Sequence, residues 1–272
     1  MSTLLQTDRL TCRFGGLIAV SEVSLSVRRG HVHGIIGPNG AGKTTFLNVI
    51  SGHLRQTSGS IFLEGYNLGA MPAHRRSALG ICRTFQNLRL FREMTSLENV
   101  MVGLHPSTRS EILPSLLRTK SQRDEEREIA EKAREALAFV GLLEARDAIA
   151  ESLSYGHQRL LEIARAFVAR PKLLLLDEPA AGLNTIEARM MAGLIRRIQK
   201  AGVTVMLVEH HMELVMNVCD RITVLNYGKM LADGDPASIR KHPEVIEAYL
   251  GTKRRPRRAK QSEIMQAHHA EP

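Results

Sequence analysis

Two short stretches of this chain carry residue types whose spacing can do phosphate chemistry. Gly37–Pro38–Asn39–Gly40–Ala41–Gly42–Lys43–Thr44, followed by Thr45, fits the pattern G-x-x-x-x-G-K-[ST]. In such a loop the glycines let backbone N–H groups curl around phosphate oxygens with no Cβ in the way. Lys43 supplies a positive charge for the outer phosphates, and Thr44 offers a hydroxyl to a magnesium ion. The second stretch is Lys172–Leu173–Leu174–Leu175–Leu176–Asp177–Glu178–Pro179. A buried apolar strand there delivers two adjacent carboxylates to the edge where α/β sheets bind ligands. Asp177 is placed to hold Mg²⁺, and Glu178 to polarise an attacking water as general base. A lone Asp-Glu pair would be two solvated acids ending a strand. Beside a phosphate loop it implies nucleotide hydrolysis.

The elements that must position these residues are legible in outline. Val32–Ile36 is a compact apolar strand running into the glycine loop, and a helix-like stretch follows as far as Gly52. The first thirty residues read as short alternating strands, and Ser60–Glu64 as a further strand. Ile81–Phe85 reads as a strand leading to Gln86. After it the texture changes. Thr95–Ser96–Leu97–Glu98 is a capping-box pattern opening a helix, residues 105–121 read as a variable connection, and Asp124–Val140 is a charged amphipathic helix closed by Gly141. A helical insertion over about 87–165 is the result. Strand–helix alternation resumes with Leu173–Leu176, Ile186–Lys200 and Val203–Val208, and a hairpin over Arg221–Leu225 and Lys229–Ala232 follows. Long apolar strands separated by helices predict an α/β fold with a mostly parallel sheet covered on both faces.

Composition narrows the class. A hydrophobic fraction of 43% and a charged fraction of 24% over 272 residues exclude a disordered chain and leave ample material for a full core. The longest aliphatic run, Leu173–Leu176, is far short of the roughly 18 residues a membrane span needs. Met1–Leu10 shows no basic-then-apolar leader pattern, so the chain is expected in the cytosol. Three widely spaced cysteines, Cys12, Cys82 and Cys219, read as reduced thiols. Net charge is +9, but residues 253–260 (KRRPRRAK) hold six cations and no anion, so the body is only mildly basic. Such a run is read as a solvated, flexible end over 252–272, with anionic lipid headgroups as its plausible contact.

Three further elements decide the class of hydrolase. Leu153–Ser154–Tyr155–Gly156–His157–Gln158 opens a helix that ends before Pro171, and a small polar residue and a glycine at a helix N-terminus make a second anion site. Gln86 opens the insertion, and His210 follows the strand Val203–Val208 at a sheet edge. Their order along the chain (phosphate loop, glutamine, L-S-Y-G-x-Q, LLLLDEP, A-G-L-N, E-H) resembles the ATP-binding subunits of ABC transporters, over about residues 5–251. The resemblance implies a P-loop ATPase with an antiparallel β region at its N-terminus and the helical subdomain inserted between Gln86 and the LLLLDEP strand. It implies roles as well. Phe14 stacks on adenine and Gln86 senses Mg²⁺ and the membrane partner. Ser154, Gly156 and Gln158 close over ATP held by another subunit, Asn184 sits in the adjoining loop, and His210 faces the γ-phosphate.

The more specific resemblance is to the ATPases of high-affinity branched-chain amino-acid importers. It is carried by Arg13–Phe14–Gly15–Gly16–Leu17, Arg83–Thr84–Phe85–Gln86, Leu90–Phe91–Arg92–Glu93–Met94–Thr95, Tyr155, and Glu178–Pro179–Ala180–Ala181–Gly182–Leu183–Asn184. It implies an ATPase subunit, peripheral on the cytoplasmic face of the inner membrane, that uses ATP and Mg²⁺. Two membrane permease subunits, a sister ATPase or second copy, and indirectly an extracytoplasmic solute-binding protein are its implied partners. Importers of urea, short amides or other amino acids share the cassette. His211 stands where aspartate usually follows the histidine, and Asn184 where aspartate is frequent. Other classes fit less well. A GTPase lacks its N-K-x-D motif here, a lipopolysaccharide-export ATPase carries glycine where Tyr155 stands, and no sustained heptad supports a DNA-repair ATPase. No nucleic-acid partner is expected.

Overall fold

The structure, a computed structural model, describes residues 2–104 and 120–250. The connection over 105–121 and the basic tail therefore lie largely or wholly outside the described residues. Two sheets carry the fold. The first is antiparallel, in the order β2-β1-β4-β5, from β1 (Thr3–Phe14), β2 (Leu17–Arg28), β4 (Ser58–Leu63) and β5 (Tyr66–Asn67). The first thirty residues are thus two strands of twelve residues each, not several short ones. Register shifts between β1 and β2, with Arg9 and Glu22 at positive φ, break the alternation that made them read as fragments.

The second sheet has the order β10-β9-β3-β8-β7-β6. Its strands are β3 (Val32–Ile36), β6 (Ile81–Arg83), β7 (Leu173–Asp177), β8 (Thr204–Val208), β9 (Arg221–Asn226) and β10 (Lys229–Gly234). All neighbours pair parallel except β9 with β10, the expected terminal hairpin. Every residue of β3, β7 and β8 is buried, as a parallel sheet covered on both faces requires. One face meets α1 (Lys43–Ile50) and the antiparallel sheet, through Phe46, Leu47 and Ile50 against Leu5, Val23 and Leu175. The other meets α6 (Thr185–Lys200), whose Met191, Leu194, Ile195 and Ile198 pack against Leu174, Val205 and Leu207.

Three helices stand beside the second sheet where the insertion was expected. α3 (Ser96–Val102) carries the capping box, with Thr95 Oγ1 accepting from the Glu98 N–H and Glu98 accepting from the Thr95 N–H. α4 (Lys120–Val140) packs its stripe of Ala133, Leu137 and Val140 against α5 (Tyr155–Phe167) and α3. Phe139 and Phe167 stack at 4.5 Å between ring centroids. The remaining short helices are α2 (Ala73–Ala78), α7 (Met212–Val218), α8 (Pro236–Lys241) and α9 (Pro243–Leu250).

Arg76 of α2 is a buried charge with no carboxylate partner among the described residues. Its guanidinium donates to the carbonyls of Val49, Ile50, Gly69 and Met71, so it closes the C-terminal end of α1, where the helix dipole favours a cation. His33, inside β3, is the buried titratable group with a readable consequence. Thr223 Oγ1 donates to Asp233, which leaves its lone pair for the His33 Nε2–H at 2.8 Å. Burial pushes His33 down to about 4, against the opposing pull of Asp233. The unfolded chain, with an ordinary histidine value of about 6.5, therefore binds more protons than the folded one between those limits, and stability falls as pH falls through that window. Urea unfolding between pH 7 and pH 4 is expected to show this loss, with a slope of up to about 1.4 kcal/mol per pH unit from this group. In His33→Gln the slope should flatten; an unchanged slope would remove His33 as its source.

Candidate functional site

The C-terminal ends of β3, β7 and β8 finish at one edge, and the loops after them carry the chemistry. Gly37 follows β3 and Gly42 opens α1. The reason for glycine at these two positions is not the one a phosphate alone would give. A Cβ on Gly37 would lie 2.1 Å from the Leu225 carbonyl oxygen, and one on Gly42 would lie 2.2 Å from the Ala19 carbonyl oxygen. Both have positive φ, at 153° and 96°. The loop is thus pinned between β2 and β9 by its own backbone, and Gly228 N–H donating to the Ala41 carbonyl closes the pin. Gly40, by contrast, has open space around it, and Asn39, Gly40 and Thr44 are exposed, while Pro38 and Thr45 are half-buried. Lys43 is buried, with its Nζ donating to the carbonyls of Gly37 at 2.8 Å and Pro38 at 3.0 Å. Burial holds its ammonium below the ordinary lysine range, opposed by the nearby Glu178 and Asp177 carboxylates.

Three expected residues meet at one carboxylate oxygen. Gln86 Nε2 donates to Glu178 Oε2 at 3.0 Å, and His210 Nδ1 lies 3.7 Å from the same oxygen. Glu178 takes a left-handed backbone, φ 50°, an uncommon conformation for a residue with a long side chain. Its N–H still donates to the Val208 carbonyl, so the end of β7 stays stitched to β8. Asp177, one residue earlier, is fully buried. Its Oδ2 accepts from Arg83 Nη2 at 2.8 Å, while its Oδ1 is buried with no partner. Burial pushes this carboxyl up, and the Arg83 guanidinium opposes the rise.

A bare buried oxygen beside a hydroxyl-bearing phosphate loop is the donor chemistry of a hard divalent cation, which takes carboxylate, hydroxyl and water oxygens. The residues present fit magnesium with Thr44 and Asp177 as candidate ligands. Gln86 is also within this group, with its amide nitrogen turned to Glu178.

A second set of expected residues forms elsewhere. Ser154 caps α5 by accepting from the His157 N–H. Gly156 is buried against α6, where a Cβ would lie 2.8 Å from Glu187 Oε1. Glu187 and Asn184 make a reciprocal capping box at the start of α6. None of these residues hydrogen-bonds to the phosphate loop of the same chain. Gln158 is differently disposed from the expectation of an outward contact, because its Nε2 donates to the carbonyls of Ala150, Glu151 and Leu153. The exposed side chain beside it is His157. Phe14 stands half exposed at the tip of the β1–β2 hairpin, on the strand pair whose Ala19 flanks Gly42.

Four charged residues organise the site that the sequence reading gave no role. Glu209 is fully buried; its Oε1 accepts from the Ala180 N–H, and its Oε2 from the N–H groups of His210 and His211. One carboxylate therefore holds both the loop after Glu178 and the backbone of the histidine. Arg159 donates to the carbonyls of Phe85 and Gln86, and Glu162 accepts from the Phe85 N–H, so α5 clamps the glutamine loop from both sides. Arg83 is the fourth. The available signal was burial: a charge at the end of, or just inside, an otherwise apolar element must have a partner.

This fold and edge define an ABC-type ATPase, and the comparisons with known proteins agree. Residues 20–181 match the family described as ABC transporter, and residues 229–254 match that described as branched-chain amino acid ATP-binding cassette transporter. The second match runs three residues past Gly251, where the resemblance was expected to stop. The chain is 47% identical over 249 residues to the high-affinity branched-chain amino acid transport ATP-binding protein BraF of Pseudomonas aeruginosa, covering 91% of this chain and 98% of that one. It is 45% identical over 249 residues to LivG of Escherichia coli, with the same coverage. A crystal structure of the ADP conformation of an ATP-binding cassette of an ABC transporter superposes with a TM-score of 0.80 at 32% identity, covering 92% of this chain and all of that one. The chain belongs to the ABC transporter ATP-binding family and is an ATPase.

Glu209 gives the sharpest test of how the site is held. In Glu209→Ala three N–H groups lose their acceptor, at a cost of about 1–3 kcal/mol for each left buried. ATP turnover is expected to fall by more than tenfold while the affinity for ATP stays near the parent value. Equal losses in both would place Glu209 in nucleotide binding instead.

Proposed function

We propose that this chain is one ATPase subunit of an importer of branched-chain or related hydrophobic amino acids, working on the cytoplasmic face of the inner membrane. The observation that carries the reading is the match of residues 229–254 to the branched-chain amino acid cassette family, over the region of β10, α8 and α9 that follows the ATPase core. The extent of the identity to BraF and LivG supports it. No described helix is long and apolar enough to cross a membrane, so translocation is assigned to separate permease subunits.

ATP binds with its phosphates in the loop Gly37–Thr45, whose N–H groups and Lys43 receive the negative charge. Phe14 stacks on the adenine. Thr44 and Asp177 would hold magnesium, with Gln86 beside them. Bound there, the ion would supply positive charge that offsets the charge developing on phosphoryl transfer. Glu178 accepts the proton of the attacking water, and His210, on the same carboxylate oxygen, orients it and faces the γ-phosphate.

Ser154 and Gly156 act in trans on ATP held by a sister ATPase or a second copy. Their lack of any hydrogen bond to their own phosphate loop supports this, as does the solvent exposure of Tyr155, Ile186 and Met190 around them. Gln158 contributes to that surface by holding the preceding loop. Asn184 joins it through Glu187, which packs on Gly156. Binding of two ATP closes the pair, and hydrolysis reopens it. The insertion behind Gln86 receives permease helices, so closure is transmitted across a packed interface. A solute-binding protein outside the membrane supplies the cargo.

Glu178→Gln is expected to bind ATP and dimerise but turn over at least about 100-fold more slowly than the parent. Full activity would remove Glu178 from the base role. The same variant, tagged in its native cell and purified from membranes solubilised with ATP, should bring down two multi-span membrane proteins and a second small ATPase. Vesicles rebuilt from the parent chain, these partners and their solute-binding protein should take up leucine, isoleucine or valine when ATP is inside. Co-purification of ribosomes or DNA in their place would overturn the importer reading.

A further inference from the structure

The buried ion pair behind the site is placed to do more than neutralise two charges. Arg83 ends β6, the strand that leads to Gln86, and its side chain is only 5% exposed. Its Nη2 donates to Asp177 Oδ2 at 2.8 Å. Its Nη1 donates to Asn48 Oδ1 at 2.6 Å and to Ser51 Oγ at 3.0 Å. The guanidinium carbon lies 5.1 Å from the centroid of the Phe85 ring. One rigid, planar group therefore joins β6, the carboxylate at the end of β7, and the C-terminal half of α1, the helix that opens with Lys43 and Thr44.

We propose that Arg83 is a positioning residue for the cation that accompanies ATP: by occupying Oδ2 of Asp177 it fixes the carboxylate with Oδ1 as its one free oxygen, and by bonding Asn48 it holds that oxygen in register with Thr44. The proposal rests on the reading that Asp177 and Thr44 hold magnesium. A carboxylate is free to turn about its last torsion, and pinning one oxygen removes that freedom before the metal arrives. A buried ion pair is a weak source of stability, since taking both charges out of water offsets their attraction. Geometry is the property this arrangement secures. Lysine would not replace arginine here, because a point charge does not span Asp177 and Asn48 with fixed angles, whereas the guanidinium fork does. Arg83 is also among the residues lining a cavity of about 430 Å³ between β6, α2, α3 and α5, with His53, Phe85, Arg89 and Arg165 around it.

The test separates metal positioning from simple packing. Affinity for a fluorescent ATP analogue is measured in EDTA and in a Mg²⁺ titration, for the parent and for Arg83→Met, Arg83→Lys, Asn48→Ala and Asp177→Asn. Binding of Mn²⁺ in the presence of ATP, read by electron paramagnetic resonance, gives the metal affinity directly. In Arg83→Met, metal-free affinity should stay within about twofold of the parent. The gain in affinity that Mg²⁺ gives, and the affinity for Mn²⁺, should fall about 10- to 100-fold. Arg83→Lys should not restore either, and Asn48→Ala, which leaves the ion pair in place, should show the same shift at smaller size. If Arg83→Met loses affinity equally with and without metal, or Asn48→Ala lowers only the unfolding temperature, Arg83 is a structural pair and the proposal fails. If Asp177→Asn itself leaves the metal dependence intact, the magnesium reading of Asp177 falls, and the Arg83 proposal with it.

Discussion

Every residue of β3, β7 and β8 is buried on both faces of the sheet, and nearly everything else in this molecule answers to that. Strands so enclosed tolerate almost no polar group along their length, because an unpaired one costs several kcal/mol in an apolar interior. Charge is admitted only where the strands run out. Since the three are parallel and in register, they run out together, and the phosphate loop, Asp177 with Glu178, and Glu209 with His210 arrive at one edge. The site is the place where the sheet first meets water.

Enclosure also explains why the charges at this edge come as networks. Asp177 has Arg83, and Glu209 has three backbone donors. Arg159 and Glu162 have each other and the Phe85–Gln86 backbone. The last of these fixes a mechanical relation. The helix that opens at Ser154 and the loop that carries Gln86 to Glu178 are clamped into one piece, so a shift of either carries the other. Under the proposed function, an event at the intersubunit surface and an event at the attacking water share this rigid element.

Much of this was legible in the sequence because it is written in local spacing. The glycine loop, the aliphatic strand ending in Asp177–Glu178, the capping box at Thr95 and the hairpin around Asn226–Gly228 each depend on neighbours within a few residues. The order of motifs then gave the family, and the residue set that meets at Glu178 followed from it. The partnerships over long separations were not legible. The local pattern around Arg83 shows no role for it, because its partners Asp177 and Asn48 lie 94 and 35 residues away. The loop pattern alone suggests that Gly37 and Gly42 make room for phosphate, whereas in the structure β9 and β2 crowd them. The two N-terminal strands looked like fragments because bulges interrupt their alternation. Gln158 looked like a contact residue, since nothing in the local pattern reveals that its amide turns back on the preceding turn.

The left-handed backbone at Glu178 sets a limit on how far this protein can be made more stable without loss. Asparagine, aspartate or glycine would sit in that conformation with less strain. Each would either remove the carboxylate or draw it back by one methylene from the oxygen position that Gln86 and His210 share. The residue that best suits the chain at position 178 and the residue whose carboxylate reaches Gln86 and His210 are therefore different residues. A selection for heat resistance alone would drift toward the first, trading turnover for a relaxed turn.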